Sequence, residues 1–402
     1  MSKINVRSFS NENEDGAPDI VGISTFSATS YFVPTRGTTE QRPSEHVEVG
    51  SLRYNYDIKN LEYYRGELVG WNSFDLIDPQ PLGGDTVSTS LTSVSNFGLG
   101  ARGIFVGGYS PSQSSDIQYI TISTFGNSTD FGDLNSGYSA GVATNDRTRG
   151  FYSGGNTGNA LDMRFCTLAS MGDSVDGGGD LVVATKGKPT GNSSSTRGVI
   201  SGGRDHPGGS EVNVIQSHTI QTTGNAADFG DLLNPRSYNG GNCQSSTRGI
   251  TAGGFSPSAP TRVNSIEYIT MASMGNSADF GDLVTAVSNL GAASNSIRGI
   301  LAGGSSPTAL RDIDFITIAS TGNATTFGDL DNGGDFNHVK GDVGCCTSPT
   351  RCVIGGGSVP GGTGMQSVEI ATTGNGVDFG EFAVNPNHSQ DRGMWSTGHG
   401  GL

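Results

Sequence analysis

The chain has 402 residues, a formal charge of −15 and 64 glycines, with only 15% charged residues. That acidity supplies no basic stripe, which argues against nucleic-acid binding. Nowhere do eighteen apolar residues run together and the opening MSKINVRSFSNENEDGAPD has no apolar core, so neither a membrane span nor a signal peptide is expected and synthesis in a cytosol follows.

Residues 1–85 read as an N-terminal attachment module. The first thirty, polar and rich in Asn, Ser and Glu, suit an arm that orders only on docking. Leu52, Tyr54 and Tyr56 then alternate with polar residues, Asp57 to Asn60 suits a turn, and Leu61 to Tyr64 returns, which predicts a half-exposed β-hairpin packing on a partner chain or on the rest of the molecule. Thr35 to Pro43, with Gly50 to Asp57, Leu61 to Gly66 and Gly70-Trp71, resembles a short module of tail-fibre and other virion structural proteins of tailed phages. There a Gly-Thr-Thr-x-x-Arg-Pro stretch precedes a hairpin of the form G-x-(I/L)-R-(F/Y)-N-x-D…LE-x-Y-x-G…W. The resemblance implies docking on other virion proteins.

From residue 86 to 402 one phrase returns six times, opening at Arg102, Arg149, Arg197, Arg248, Arg298 and Arg351 in steps of 47, 48, 51, 50 and 53 residues. A period near fifty built from short strands predicts a radially repeated sheet. In the fifth unit an apolar strand ends in Gly303-Gly304, and Asp312 to Ser320 opens in alternation. Gly322-Asn323 suits a tight hairpin, Phe327 to Leu330 is a short strand, and a weaker strand precedes the next Arg. Each unit thus predicts four antiparallel strands. The order resembles kelch repeats, with a Tyr or Phe in the third strand (Tyr119, Tyr268, Phe315). Phe131, Phe229, Phe280, Phe327 and Phe379 stand where kelch blades carry Trp. The resemblance implies an all-β, kelch-like β-propeller. Arg392 to Gly398 begins a seventh copy, and the Phe-Asp-Leu echo within Leu61 to Ile77 could supply its missing strands, so seven blades are expected, with six as the alternative. Gly178 replaces the phenylalanine in the second unit, which predicts a packing gap there.

Up-and-down strands sort the connections onto two rims. Arg-Gly and Gly-Asn share the uniform one, and the unlike loops after Gly-Gly share the other. On the uniform rim Arg102, Arg197, Arg248, Arg298 and Arg351 are expected to bridge neighbouring strands through the aspartates opening the Phe-Gly-Asp strand, Asp130, Asp228, Asp279 and Asp378; the unit at Thr326 lacks that Asp. The second carboxylates, Asp133, Asp231, Asp282, Asp329 and Glu381, read as solvated turn residues, with a calcium-binding ring as the alternative. On the varied rim Tyr109, Arg204, Asp205, His206 and Phe255 are the candidates for contact with a receptor.

Five cysteines of irregular spacing argue against a disulfide framework, and CCTSPTRC with His338 does not match a structural zinc spacing. No cofactor or metal is expected. The six histidines show no regular arrangement for copper-oxidase ligands, and two tryptophans exclude a series of sialidase boxes. Repeats such as Tyr119 to Leu134 and Tyr268 to Leu283 resemble those of virion structural proteins of marine phages, especially of cyanobacteria. The expectation is therefore a non-enzymatic virion protein, a tail fibre or appendage component that presents a propeller to a host-surface glycan or protein. Homo-oligomerisation is possible on this reading, and capsid decoration or a tail collar is the alternative. Arg248→Ala is expected to lower the melting temperature and Arg204→Ala to leave it unchanged.

Overall fold

The computed structural model describes residues 35–43, 47, 51–57, 60–64, 71–73, 102–109, 112–156, 160–257, 262–330, 342–357, 363–383 and 391–402. The first thirty residues and His338 lie outside these. The chain divides into two compact units, Met1–Asp78 and Pro79–Leu402. Both are built of strands, and one 3-10 turn, Thr39–Gln41, is the only helix among the described residues. None of the described residues forms a helix long and apolar enough to cross a membrane.

The first unit is a four-stranded sheet. Leu52–Asn55 and Asn60–Tyr64 form the expected hairpin, Trp71–Ser73 extends it, and Thr35–Gly37 adds a parallel edge beside Leu52–Asn55. Its buried side is polar. Glu62 is fully buried, ion-paired with Arg42, 3.5 Å from Arg53 and 3.0 Å from the Asn55 amide, while Leu52 and Tyr56 are exposed. Burial alone would raise the Glu62 carboxyl, but the bonds from Arg42 and Asn55 outweigh it and hold the group below its usual range.

The second unit holds six four-stranded antiparallel sheets. Sheet II comprises Val142–Asn145, Arg149–Ser153, Asp162–Thr167 and Val175–Asp180; sheet III Thr190–Ser193, Arg197–Ser201, Val214–Thr219 and Ala227–Asp231; sheet IV Gly240–Gln244, Arg248–Ala252, Ser265–Thr270 and Ala278–Asp282. Sheet V comprises Gly291–Ser294, Arg298–Ala302, Asp312–Thr317 and Thr325–Asp329; sheet VI Val343–Thr347, Arg351–Gly356, Gly364–Glu369 and Val377–Glu381. Sheet I draws on both ends of the unit: Gly393–Ser396 pairs with Arg102–Val106, followed by Ser114–Thr121 and Thr129–Tyr138. The start of the expected seventh copy is therefore the first strand of sheet I. Leu61–Tyr64 and Trp71–Ser73 pair inside the first unit, the Phe-Asp-Leu echo at 74–76 lies outside the described residues, and the expectation of seven gives way to six four-stranded sheets in the second unit among the described residues. First strands touch in order from sheet I to sheet VI, and that of VI touches that of I.

Two devices join each sheet to the next. In the fourth strand the ladder slips at Phe-Gly-Asp, where Ile266 faces Gly281 and Glu267 faces Asp279, a bulge at Phe280. Gly281 has φ +147, and a Cβ there would lie 2.4 Å from the Gly322 carbonyl oxygen of sheet V. Through that opening Gly322 N donates to Phe280 O at 2.7 Å, Ala324 N donates to Asp282 O at 2.7 Å, and Asp282 N donates to Asn323 Oδ1 at 3.0 Å. The same three bonds recur from sheet III to II, IV to III, VI to V and I to VI; from II to I, Asp173 replaces the asparagine. Gly-Asn lies, as expected, in the hairpin connection between the third and fourth strands, as Gly322-Asn323 does between Asp312–Thr317 and Thr325–Asp329, and it makes the inter-sheet ladder as well.

The repeated arginine supplies the second device, and it corrects the expected bridge. Each donates from Nη1 to a backbone carbonyl just past the third strand of the next sheet: Arg102 to Leu168 (3.1 Å), Arg149 to Ile220 (3.3 Å), Arg197 to Met271 (2.8 Å), Arg248 to Ile318 (2.9 Å), Arg298 to Ile370 (2.8 Å) and Arg351 to Ile122 (3.1 Å). Most guanidiniums also lie over an aromatic ring, Arg248 over Tyr268 at 4.6 Å and Arg298 over Phe315 at 4.3 Å. Asp130, Asp228, Asp279 and Asp378 are exposed and form no ion pair among the described residues. A surface carboxylate keeps its water, whereas a strand-end carbonyl at an inter-sheet seam needs a donor, so the carbonyl wins. Arg298, whose unit has Thr326 in place of Asp, behaves like the rest.

The glycine after five of the six arginines makes room; Arg351 is followed by Cys352. A Cβ on Gly150 would meet Trp395 of sheet I at 2.4 Å, and one on Gly299 would meet Cys243 of sheet IV at 2.3 Å. In sheet II the expected gap at Gly178 is absent: a Cβ there would lie 2.5 Å from Met163 O and 2.7 Å from Phe151, a ring where the other sheets carry Ile or Val. Phe151 takes the volume of the missing phenylalanine.

Gly281→Ala should lower stability by about 2 kcal/mol or more, from backbone strain plus a blocked seam. Gly224→Ala, where a Cβ meets nothing within 4 Å, should be neutral. Paired urea melts check this, and equal effects would contradict the seam.

Candidate recognition surface at the Gly-Gly end

Each first strand is preceded by a non-glycine residue in the left-handed region: Ala140 (φ +53), Lys188 (+51), Tyr238 (+54), Asn289 (+60), Asp342 (+59) and Asp391 (+53). Their peptides join the sheets. Ala140 N donates to Asp391 O, Lys188 N to Ala140 O, Asn289 N to Tyr238 O and Asp342 N to Asn289 O, at 2.8 to 3.2 Å. Asn and Asp tolerate this conformation through local hydrogen bonding; Ala, Lys and Tyr do so at a cost. Side chains of five types are therefore held at six equivalent places on the end that also carries the unlike loops.

Lys188 reaches across to Asp342 (3.5 Å) and Asp391 (3.8 Å). Burial pushes the Asp391 carboxyl up to about 6, opposed by Lys188 and reinforced by Asp342. Below them a cavity of about 30 Å³, lined among others by Val142, Gly191, Asn239, Leu290, Val343 and Met394, has room for about one water.

Of the receptor-contact candidates, Arg204 and Phe255 come together, and Arg204 is engaged. It pairs with Glu211 at 2.8 Å, donates to the Tyr238 hydroxyl at 3.2 Å, and lies 4.8 Å from the Tyr238 ring and 5.8 Å from that of Phe255. Arg204–Asp205 also pairs with Thr185–Lys186 as a short ribbon. Asp205 accepts from Ser210 N inside its own turn, and His206 N donates to Ala184 O at 3.1 Å. Tyr109 stands elsewhere on this end, 43% exposed, bridged to Gln113. Residues 110–111, 157–159, 258–261 and 358–362 of these loops lie outside the described residues. The axial residues escaped sequence reasoning; the Asn or Asp at three of the six positions, ordinary turn chemistry, was their only signal.

The cysteines are all free and buried. Burial lifts the Cys166 and Cys243 thiols to about 12, and contact with Cys352 together with burial raises Cys345, which disfavours the thiolate at these three. Among the described residues no three His, Cys, Asp or Glu side chains converge as metal ligands.

Because Arg204 ties sheet III to Tyr238 and Phe255, Arg204→Ala should lower the melting temperature as Arg248→Ala does, each by about 1–2 kcal/mol of stability. A calorimetric comparison decides it; an unchanged Arg204→Ala would restore a purely surface role. Asp391 binds its proton more tightly folded, near 6, than unfolded, near 3.8, so its contribution to stability grows as pH falls from above 6 toward 4. Asp391→Asn should accordingly raise stability at pH 7.5 by up to about 2 kcal/mol and change little at pH 4.5. The test is the difference between variant and parent melts at both pH values, because the buried His218, lowered to about 4, loses stability over that range in both proteins.

No protein-family model matches the chain, and no curated protein matches it.

Proposed function

We propose that the six sheets form a six-bladed, kelch-like β-propeller belonging to a phage virion structural protein, a tail fibre or appendage component. It attaches to other virion proteins through its N-terminal module and offers the Gly-Gly end to a host-surface glycan or protein. The carrying observation is the contrast between the two ends. At the Arg-Gly end the arginine-to-carbonyl bond recurs in all six sheets. At the other end the six positions before the first strands carry five residue types, with Asp shared only by sheets VI and I, and the loops after Gly-Gly differ from sheet to sheet. A rigid frame with one varied face suits recognition, because loop residues change without loosening the seams. The phage setting rests on the likeness of Thr35 to Trp71 to tail-fibre modules. The sealed thiols and the one-water cavity favour binding over catalysis.

Purified protein should bind host envelope saturably, and Tyr109→Ala should weaken that binding by about tenfold with an unchanged melting temperature. Imaging of the particle supplies the second arm. A uniform coat on the capsid, together with no binding to host cells or glycan arrays, would replace the receptor role with capsid decoration.

A further inference from the structure

We propose that the segment from Ser396 to Leu402 is an acid-released latch, which at neutral pH seals the Arg-Gly end of the axis between the first strands and lets go when His399 takes up a proton. The segment reaches the lower end of every first strand. Ser396 N donates to Asn145 Oδ1 of sheet II at 3.2 Å, and Thr347 N of sheet VI donates to Ser396 Oγ at 2.9 Å. Gly400 N donates to Ser294 O of sheet V at 2.9 Å. A Cβ on Gly401 would fall 1.8 Å from Ser193 O of sheet III, and one on Gly400 would fall 2.3 Å from Gln244 O of sheet IV. Only glycine can lie in this slot, and both glycines are buried.

His399 is the pivot. It is 4% exposed, and both ring nitrogens are committed: Nε2 lies 2.8 Å from the Asn145 carbonyl oxygen, and Nδ1 accepts from Gly401 N at 3.1 Å. A carbonyl can only accept, so Nε2 carries the proton and the ring is neutral. A second proton on Nδ1 would set N–H against N–H, remove the bond that folds Gly401 back, and leave a buried cation. The charged groups near it are on the turn after Asn145. Asp146 is held by Thr148, Arg149 and Gln221, and Arg147 opposes it; Ser193, Gln244, Ser294, Asn295 and Thr347 on the other sheets carry no charge. Burial therefore dominates and lowers the imidazole to about 4.

The sign follows directly. A released tail has an ordinary imidazole near 6.5, so the seated state is favoured above that pH. Release gains on the order of 300-fold as pH falls from 6.5 through 4. The residues of this latch are separate from the proposed recognition surface, so the two readings stand or fall independently.

The test is NMR on the full chain from pH 7 to pH 3.5, following the His399 ring nitrogens and the exchange of the Gly400, Gly401 and Leu402 amides. The expected result is a neutral ring with Nε2 protonated at pH 7, titration near 4, and amide protection lost in step with it. His399→Gln, which can donate and accept but cannot titrate, should keep those amides protected at pH 4. Titration near 6.5, amides unprotected at pH 7, or loss of protection at a pH unrelated to the His399 titration would each overturn the latch. Equal loss in His399→Gln and the parent protein would do so too.

Discussion

Each fourth strand gives way at one glycine, and through that opening the next sheet threads its backbone. In four of the six sheets the glycine of Phe-Gly-Asp has a φ near +150°, and a side chain there would strike the neighbouring carbonyl, as one on Gly281 would strike Gly322. A single four-stranded sheet of this size has little core of its own. Its stability depends on neighbours, and here they are bonded through main-chain ladders, an Asn side chain, an arginine donor and buried aliphatic clusters such as that formed by Ile300, Ile313, Phe327 and Ile354. Since sheet I donates its backbone to sheet VI as each sheet does to the one before it, and Arg351 of sheet VI donates back to Ile122 O, the first and last sheets are joined by the same bonds among the described residues.

Much of this was legible. The period, the four strands per unit and the sorting of uniform and varied ends follow from where Arg-Gly, Gly-Gly and Phe-Gly-Asp recur. Periodicity places residues within a unit, however, and is silent on which unit they touch. Arg248 was matched to the nearest carboxylate because opposite charges attract, yet the exposed Asp279 is well solvated and the unpaired carbonyl of Ile318 in the next sheet offered more. Gly322-Asn323 reads as a hairpin and is part of one, but its second set of partners, Phe280 and Asp282, lies about forty residues back in another unit. The gap expected at Gly178 ignored the strand beside it, where Phe151 compensates. The count of sheets turns on Gly393–Ser396, which opens like a seventh copy but pairs with Arg102–Val106 as the first strand of sheet I.

The candidate surface was the least readable part. Loop residues such as Tyr109 and Phe255 stand out by type, but the left-handed positions before the first strands carry no residue common to all six, because what they share is a backbone angle. Arg204 shows the converse: a charge in a varied loop that is held by Glu211, Tyr238 and Phe255 and so belongs to the frame.

The construction of sheet I from residues about 290 apart in sequence, Gly393–Ser396 beside Arg102–Val106, sets an order of assembly. During synthesis sheets II to VI can each form from local chain, with contacts of low sequence separation, while sheet I waits with the edge of Arg102–Val106 unpaired. Closure is the one long-range event and cannot precede translation of residue 393. Until then Ile104 and Phe105 flank an open strand edge, the segment of this chain most exposed to mispairing with a neighbour on the same polysome.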